Sequence, residues 1–203
     1  MKKSKEMKNR AHAMKKFFKS YTGKEKSSIE HLIQADYDQI IERAEQLSSI
    51  DKSDYPSNAP IMIKVPDAFT KKDRVSYRLV HKEDKSTVLL YDQALVTTLF
   101  FGETSLFYHQ CNVDHRSGSI AFDIAGEFNY NDVVHMETTL SLDQPENPKY
   151  LMLDLELSLI DGSVIPFHLR NHRLHESYEL PSLLTDQEQM ILDQFKHYIR
   201  GKR

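Results

Sequence analysis

The sequence predicts an α+β fold in which an N-terminal helical segment precedes a domain of antiparallel strands and one C-terminal helix. Three observations lead to this prediction. Apolar residues recur at helical spacing over the first 50 residues, the apolar period changes to two from about Ile61, and helical spacing returns after Thr185. No long helical pattern separates the strands after residue 61, which argues against a parallel α/β sheet.

Residues 1–26 are predicted to be a basic amphipathic arm. They carry ten basic and two acidic side chains, a net charge of +8, whereas the other 177 residues carry 17 basic and 28 acidic side chains, a net charge of −11. Such asymmetry points to an anionic partner. Six apolar side chains of the arm fall on one helical stripe: Met7, Ala11, Met14, Phe17, Phe18 and Tyr21. A stripe of this kind is typical of an interfacial or partner-binding helix, and the alternative is a solvated, partly disordered terminus.

Residues 27–50 are predicted to be an acidic amphipathic helix. Ser27 and Glu30 match the Ser-x-x-Glu pattern of a capping box at its start. The helix has an apolar stripe that must be covered by the main domain or by the first helix folded back against it. Residues 51–60 contain two prolines, two serines and an asparagine, and they are predicted to link this helix to a domain over residues 61–203.

The clearest strand of that domain covers residues 151–159, where five leucines alternate with Met, Asp, Glu and Ser. This pattern is typical of a strand with one face on a core and the other in water. Asp161-Gly162 predicts a hairpin turn after it. The returning strand directs three apolar side chains inward: Ile165, Phe167 and Leu169.

Other strands are predicted upstream, over residues 75–81, 94–101, 106–113 and 133–142. A further strand places four apolar side chains on one face: Ile120, Phe122, Ile124 and Phe128. Thr185 and Glu188 match a capping box, and a helix is predicted from there to residue 200. Since this amphipathic helix follows about seven strands, we expect it to close an open end of the bent sheet.

This order of elements resembles the pleckstrin-homology (PH) superfold, in particular the bacterial PH-like and GRAM-like domains. The resemblance spans about residues 75–200 and is carried by ALVTTLFF at 94–101, by FNYNDVV at 128–134, by the leucine strand with Asp161-Gly162, and by the last helix. It implies an antiparallel PH-like barrel or sandwich of about seven strands closed by a C-terminal helix. It also implies a binding or scaffolding module rather than an enzyme. One departure is that Leu99 and Phe100 stand where those domains often have a basic residue, and no ligand site is carried over.

The predicted function is therefore a non-enzymatic interaction module that docks on a protein partner, an anionic membrane surface or a membrane-associated complex. The arm supplies the predicted contacts, in which basic side chains attract anionic headgroups and two aromatic rings insert. The contact residues are Lys8, Arg10, Lys15, Lys16, Phe17, Phe18 and Lys19. The alternative is non-specific nucleic-acid binding by the same lysines, since no base-reading motif is present. A homo-oligomer is left open, because the basic arm of one copy complements the acidic body of another.

A third function class, a metal-dependent enzyme, rests on His168, His172 and His175. The neighbouring Arg170 and Arg173 would repel a cation, and no carboxylate occurs before Glu176. We therefore predict no metal and no cofactor, and favour an exposed loop that binds an anion. Its residues are Arg170, His172, Arg173 and His175.

The sequence offers no catalytic residue. Cys111 and His115 lie four residues apart on a predicted strand, about 13 Å, which is too far for a nucleophile and its base, so Cys111 is expected to be a small buried side chain. Glycine-rich phosphate loops are absent. No segment approaches the roughly 18 apolar residues of a membrane span, residues 1–26 do not resemble a secretory signal, and the single cysteine suits a reducing compartment. We expect a cytoplasmic protein that is peripheral at the inner membrane face.

Overall fold

The computed structural model describes residues 2–50, 59–144, 146–174 and 183–201. It confirms the α+β class, with three helices and ten strands in three sheets over the described residues, none of them closed into a barrel. None of the described helices combines the length and the hydrophobicity needed to cross a bilayer. The helices are α1 (Lys2–Phe17), α2 (Ser27–Leu47) and α3 (Asp186–Arg200). The strands are β1 (Thr22–Lys24), β2 (Ile61–Pro66), β3 (Tyr77–His81), β4 (Thr87–Tyr91), β5 (Gln93–Phe101), β6 (Ser105–Asp114), β7 (Ser119–Asn129), β8 (Val133–Leu142), β9 (Tyr150–Leu159) and β10 (Val164–Arg173).

An antiparallel sheet in the order β2-β5-β6-β7 lies at the centre of the molecule. Eight of the nine residues of β5 are buried, which shows that this strand is covered on both faces. The second sheet, β10-β9-β8, is also antiparallel. In the third sheet, β3 pairs with β4 in a hairpin, and the short β1 runs parallel to β3 on its other side.

One face of the central sheet packs on the second sheet and on α3. Their shared apolar core includes Leu99 from β5, Leu155 from β9, Phe167 from β10 and Phe195 from α3, all fully buried. The predicted inward leucines Leu153, Leu155 and Leu157 are thus confirmed, as are Phe167 and Leu169. The α3 helix closes this core in the way the sequence predicts, and its Thr185–Glu188 capping box is present with both hydrogen bonds.

The opposite face of the central sheet packs on α1 and α2. Their cluster combines Met14 from α1, Ile33 and Ile40 from α2, and Val96 and Val113 from the sheet. The apolar stripe of α2 is therefore covered by both candidates that the sequence suggests, the main domain and the first helix. The helical hairpin is a layer of the fold and shares its core with the strands.

Two local predictions need correction. Ser27 is already inside α2, because Lys26 occupies the N-cap position and no side chain caps the helix there. The four apolar residues predicted on one face of β7 do not share a face: Ile120 packs in the cluster under α1 and α2, Phe128 lies in the opposite core, and Phe122 and Ile124 are exposed. A β-bulge causes this change of phase, as described below.

The joint between α3 and the second sheet depends on a buried ion pair, from which a stability prediction follows. The Glu188 carboxylate accepts hydrogen bonds from the Arg170 guanidinium and from the Thr185 backbone N–H, and both charged side chains are buried. Burial by itself would raise the pKa of Glu188, but the hydrogen bonds from Arg170 and Thr185 outweigh it and hold that pKa below its usual range. This stabilisation is complete above the pKa of the unfolded chain and is lost as pH falls through the lower pKa of the folded state.

We expect Glu188→Gln to destabilise the protein by about 3 kcal/mol at pH 7, since it leaves Arg170 as an unpaired buried charge. The deficit should shrink in acid as the wild-type carboxylate is protonated. Thermal unfolding at pH 7 and at about pH 3.5 measures both effects. Asp193→Asn is the control, because Asp193 is exposed. Its ion pair with Lys196 on the same helix, at 3.6 Å, lies in solvent and is not buried. Equal loss of stability in the two variants would contradict this role for Glu188.

Candidate functional site

The basic arm is fixed to the body through one buried carboxylate, Asp36 on α2. Its Oδ2 accepts hydrogen bonds from Arg10 Nη2 at 2.5 Å and from His115 Nδ1 at 2.7 Å. Arg10 Nε also donates to the backbone carbonyl of His115 at 2.9 Å. Gly118 has a φ of +73°, and a Cβ at this position would lie 2.9 Å from the Arg10 guanidinium. Asp36 therefore joins α1, α2 and the β6–β7 turn at a single point.

The apolar side of α1 is part of the core. Met14, Phe17 and Phe18 are all buried, and Phe17 packs under the guanidinium of Arg78, which donates to the Phe17 carbonyl at 2.6 Å. The contribution predicted for Phe17 and Phe18, insertion into a membrane, thus needs correction: the central sheet and α2 already cover both rings. Arg10, also predicted as a contact residue, is occupied by Asp36 and His115.

The remaining predicted contact residues, Lys8, Lys15, Lys16 and Lys19, lie together with Lys5 on a surface that we call the basic face. It consists of five exposed lysines, none of which forms an ion pair with a described residue: Lys5, Lys8, Lys15, Lys16 and Lys19. Lys8 and Lys15 are seven residues apart in α1, so they fall on one stripe about a third of a turn around the helix from Met14, and Lys19 lies in the turn after the helix. The buried side of the arm positions these lysines in solvent.

A groove of about 910 Å³ runs along the basic face. Lys15, Lys16 and Lys19 line it together with Arg116 and two carboxylates of the body, Asp92 and Asp114. The Arg116 guanidinium is held by Asp114, at 2.8 Å from Nε to Oδ1, so its charge is already partly neutralised. The lysines are therefore the basic groups of the groove that form no ion pair with a described residue.

The residues predicted as an anion-binding loop lie mostly in a strand. Arg170, His172 and Arg173 belong to β10, while His175 lies outside the described residues. Pairing with β9 skips Leu169, so a β-bulge gives β10 an extra residue, and Leu169 and Arg170 are both buried. Arg170 is bound to Glu188, and the Arg173 guanidinium lies 5.4 Å from the Tyr77 ring centre. The structure thus does not gather these side chains around a common anion.

The histidines of the rejected metal hypothesis are also separated by their partners. His168 is exposed, and its Nδ1 lies 2.7 Å from Asp154 Oδ1. His172 faces a different cavity, beside Lys64 and Thr185, and burial followed by the charge of Arg170 lowers its pKa. Among the described residues, neither belongs to a group of three side chains able to hold a metal ion.

A different cluster does bring such side chains together: His109, Cys111 and Asp123. One ligand atom from each lies within 4.8 Å of the other two. His109 and Cys111 are two residues apart on β6, share the face that packs on α2, and are fully buried. His109 Nε2 is 3.0 Å from Asp123 Oδ1, and Arg43 of α2 binds both oxygens of the same carboxylate.

Asp123 reaches this cluster because β7 contains a bulge. Gln110 pairs with Ile124 and Asn112 with Ala121, so Phe122 and Asp123 of β7 lie opposite the single residue Cys111. Phe122 has a φ of +61°, a left-handed conformation that is costly for a residue with a bulky side chain. The bulge turns the Phe122 ring into solvent and the Asp123 carboxylate toward α2.

The protonation states of the cluster follow from burial and from Arg43. Hydrogen bonds from Arg43 hold the pKa of Asp123 below its usual range, so the carboxylate is charged at neutral pH. Burial lowers the pKa of His109 and raises that of Cys111 to about 12. Without a metal ion, Cys111 is thus a protonated thiol and not a nucleophile, in agreement with the sequence prediction of a small buried side chain.

Sequence reasoning missed this cluster and the Asp36 network. The His-x-Cys spacing on a strand indicates a shared face, but the third side chain comes from across a bulge that the alternation of β7 hides. Asp36 lies three residues after Ile33 and four before Ile40, so it falls on the apolar stripe of α2, and this spacing is the signal that could have identified it as the inward carboxylate.

We expect Asp36→Ala to release α1 from the body, since it removes the shared acceptor of Arg10 and His115. Loss of one partner of a buried ion pair costs about 3–5 kcal/mol, so tryptic cleavage after the lysines of α1 should accelerate by at least about tenfold. Timed digestion followed by mass spectrometry measures the cleavage at each site. Asp38→Ala on the same helix is the control, because Asp38 is exposed and accepts a hydrogen bond from Gln34 within the helix. Equal cleavage rates in the two variants would show that Asp36 does not hold the arm.

Comparisons with known proteins do not place the chain in a family. No protein-family model, no curated protein and no solved structure matches it. The resemblance to PH-like domains is neither confirmed nor refuted by this result.

Proposed function

We propose that the chain is a non-enzymatic, PH-like interaction module that docks on an anionic membrane surface through the basic face. The observation that carries this proposal is that the arm buries its apolar side chains and exposes its lysines. Met14, Phe17 and Phe18 are used in the core and Arg10 in the Asp36 network, while Lys5, Lys8, Lys15, Lys16 and Lys19 stay exposed with no described ion-pair partner. The packing of the arm therefore leaves these five lysine charges exposed to solvent.

The charge of the rest of the chain makes this arrangement informative. The body carries a net charge of −11, yet none of its described acidic groups pairs with the exposed lysines of the basic face. Each basic side chain near an anionic bilayer contributes about 1 kcal/mol, so the five lysines together suffice for reversible attachment. An acidic body behind them would orient the protein, since a bilayer of the same sign repels it.

Because the aromatic rings are buried, membrane attachment is expected to depend on the salt concentration. Insertion of Phe17 and Phe18 would give attachment that resists salt, but both rings are covered. Attachment through lysines alone is screened by salt. The groove beside Lys15, Lys16 and Lys19 also contains the Asp92 and Asp114 carboxylates, so an anionic headgroup is expected to lie at the lysines.

The arrangement of strands supports the PH-like part of the proposal. Leaving aside the small sheet of β1, β3 and β4, seven strands remain in two antiparallel sheets, β2-β5-β6-β7 and β10-β9-β8. These sheets enclose one core, and α3 covers it. Six of these strands are among the seven that suggest the resemblance, whereas the strand predicted at 75–81 lies in the small sheet and β2 takes the seventh place.

Vesicle binding tests the proposal. We expect the wild type to co-sediment with vesicles of phosphatidylcholine and phosphatidylserine, and not with phosphatidylcholine alone. The triple variant Lys8→Gln, Lys15→Gln, Lys19→Gln should bind about 100-fold more weakly, because three contributions of about 1 kcal/mol are removed. Raising the salt from low to physiological concentration should weaken the wild type in the same direction.

The matched control removes the same charge from another surface. Lys71, Lys72 and Lys85 are exposed and lie outside α1, and their replacement by Gln should leave vesicle binding nearly unchanged. An equal effect of the two triple variants would contradict docking through the basic face. Tighter binding of the wild type to duplex DNA than to the anionic vesicles would favour nucleic-acid binding instead.

A further inference from the structure

The cluster of His109, Cys111 and Asp123 lies under α2 and away from the basic face. Nothing in the proposed docking uses it. Its three side chains offer nitrogen, sulfur and oxygen atoms within 4.8 Å of one another. We propose that these residues form a binding site for a borderline divalent cation, of which Zn²⁺ is the best match.

The donor set selects this class of ion. Thiolate and imidazole ligands suit Zn²⁺, whereas Mg²⁺ and Ca²⁺ require oxygen ligands. In a tetrahedral zinc site the ligand atoms lie about 3.5 Å apart. The His109–Asp123 pair is already at 3.0 Å, so a shift of Cys111 by about 1 Å is enough to complete three ligands. Three protein ligands leave a fourth position for water or another small ligand.

A second observation is the burial of His109. Its imidazole is fully buried and its Nε2 lies 3.0 Å from Asp123 Oδ1, so Nε2 is the nitrogen that an ion in this cluster would bind. The ring proton would then lie on Nδ1, which has no hydrogen-bond partner among the described residues.

The bulge in β7 is a third observation. Regular alternation would direct Phe122 inward and Asp123 outward, and the left-handed conformation of Phe122 reverses this. The result places a large apolar ring in solvent, 65% exposed, and brings a carboxylate to the histidine and the thiol. Local strain of this kind persists where the surrounding structure requires it.

Arg43 then has the role of an outer partner. It comes from α2 and donates to both oxygens of the Asp123 carboxylate, through Nε to Oδ1 at 3.1 Å and through Nη2 to Oδ2, so it orients the carboxylate while Oδ1 also contacts His109. Outer partners of this type fix the geometry of metal ligands. On binding, the cation displaces the thiol proton to solvent, and the Cys111 thiolate and the Asp123 carboxylate together balance its two positive charges.

Binding of Co²⁺ and Zn²⁺ to the full chain, freed of any affinity tag and treated with a chelator, tests the site. Cys111 is the only cysteine of the sequence, so a thiolate-to-cobalt charge-transfer band in the near ultraviolet would report this site alone. We expect that band with Co²⁺ and its loss on addition of Zn²⁺. Equilibrium dialysis should give one Zn²⁺ per chain.

Two conservative variants and one control complete the design. Cys111→Ser and Asp123→Asn should each weaken Zn²⁺ binding by at least about tenfold, since loss of an outer partner alone costs that much. Asp154→Asn is the matched control: Asp154 pairs with His168 at 2.7 Å, but this exposed pair has no cysteine. Co²⁺ binding without the thiolate band, or Zn²⁺ binding that survives both variants, would assign the ion to surface histidines and overturn the site. The cobalt spectrum needs only the wild type, so the test does not depend on whether the variants fold.

Discussion

The central sheet must be covered on both faces, and the rest of the architecture follows from this requirement. On one side β5 contributes Leu99 and Phe101 to the core with β9, β10 and α3; on the other it contributes Ala94 and Val96 to the core with α1 and α2. A strand that is apolar on both faces cannot leave either in water without a large loss of buried area. Without α1 and α2, the outer face of the sheet would be an exposed apolar surface.

Packing the helices on the sheet also buries polar groups, and nearby side chains form hydrogen bonds with them. Asp36 is a carboxylate in a nearly dry interior, which is costly unless it is well paired. It accepts from Arg10 and His115, which belong to α1 and the β6–β7 turn. Because these hydrogen bonds are directional, they set the rotation of α1 about its axis, and this rotation decides which lysines face solvent. The basic face is therefore a consequence of the packing beneath it.

The sequence predicts those elements whose signals are local. The leucine alternation of β9, the hairpin at Asp161-Gly162 and the capped helix α3 all depend on residues close together in the chain, and all are present. The failures share a physical cause. A single extra residue in β7, and another in β10, inverts the alternation of side chains beyond it. Asp123 and Arg170 therefore turn inward, whereas regular alternation would expose Asp123.

The aromatic residues of α1 illustrate a second limit of sequence reasoning. Periodicity identifies a stripe that must be covered, but it does not distinguish a bilayer from a sheet as the cover. From the sequence, Phe17 and Phe18 are therefore equally consistent with membrane anchors and with core residues. Only the structure shows that they cover the central sheet. Similarly, the charge of the arm predicts an anionic partner, while only the packing shows which lysines remain available.

The measurement that tests this account most directly is amide hydrogen exchange of the full chain, resolved along α1. If α1 is a layer of the fold, its amides from residue 6 to residue 17, which have partners within the helix, should exchange on the slow time scale of those in α2. Exchange in α1 at the rate of an unfolded peptide, with α2 still protected, would contradict the account. The arm would then be a free tail, and its aromatic stripe would be available to a membrane after all.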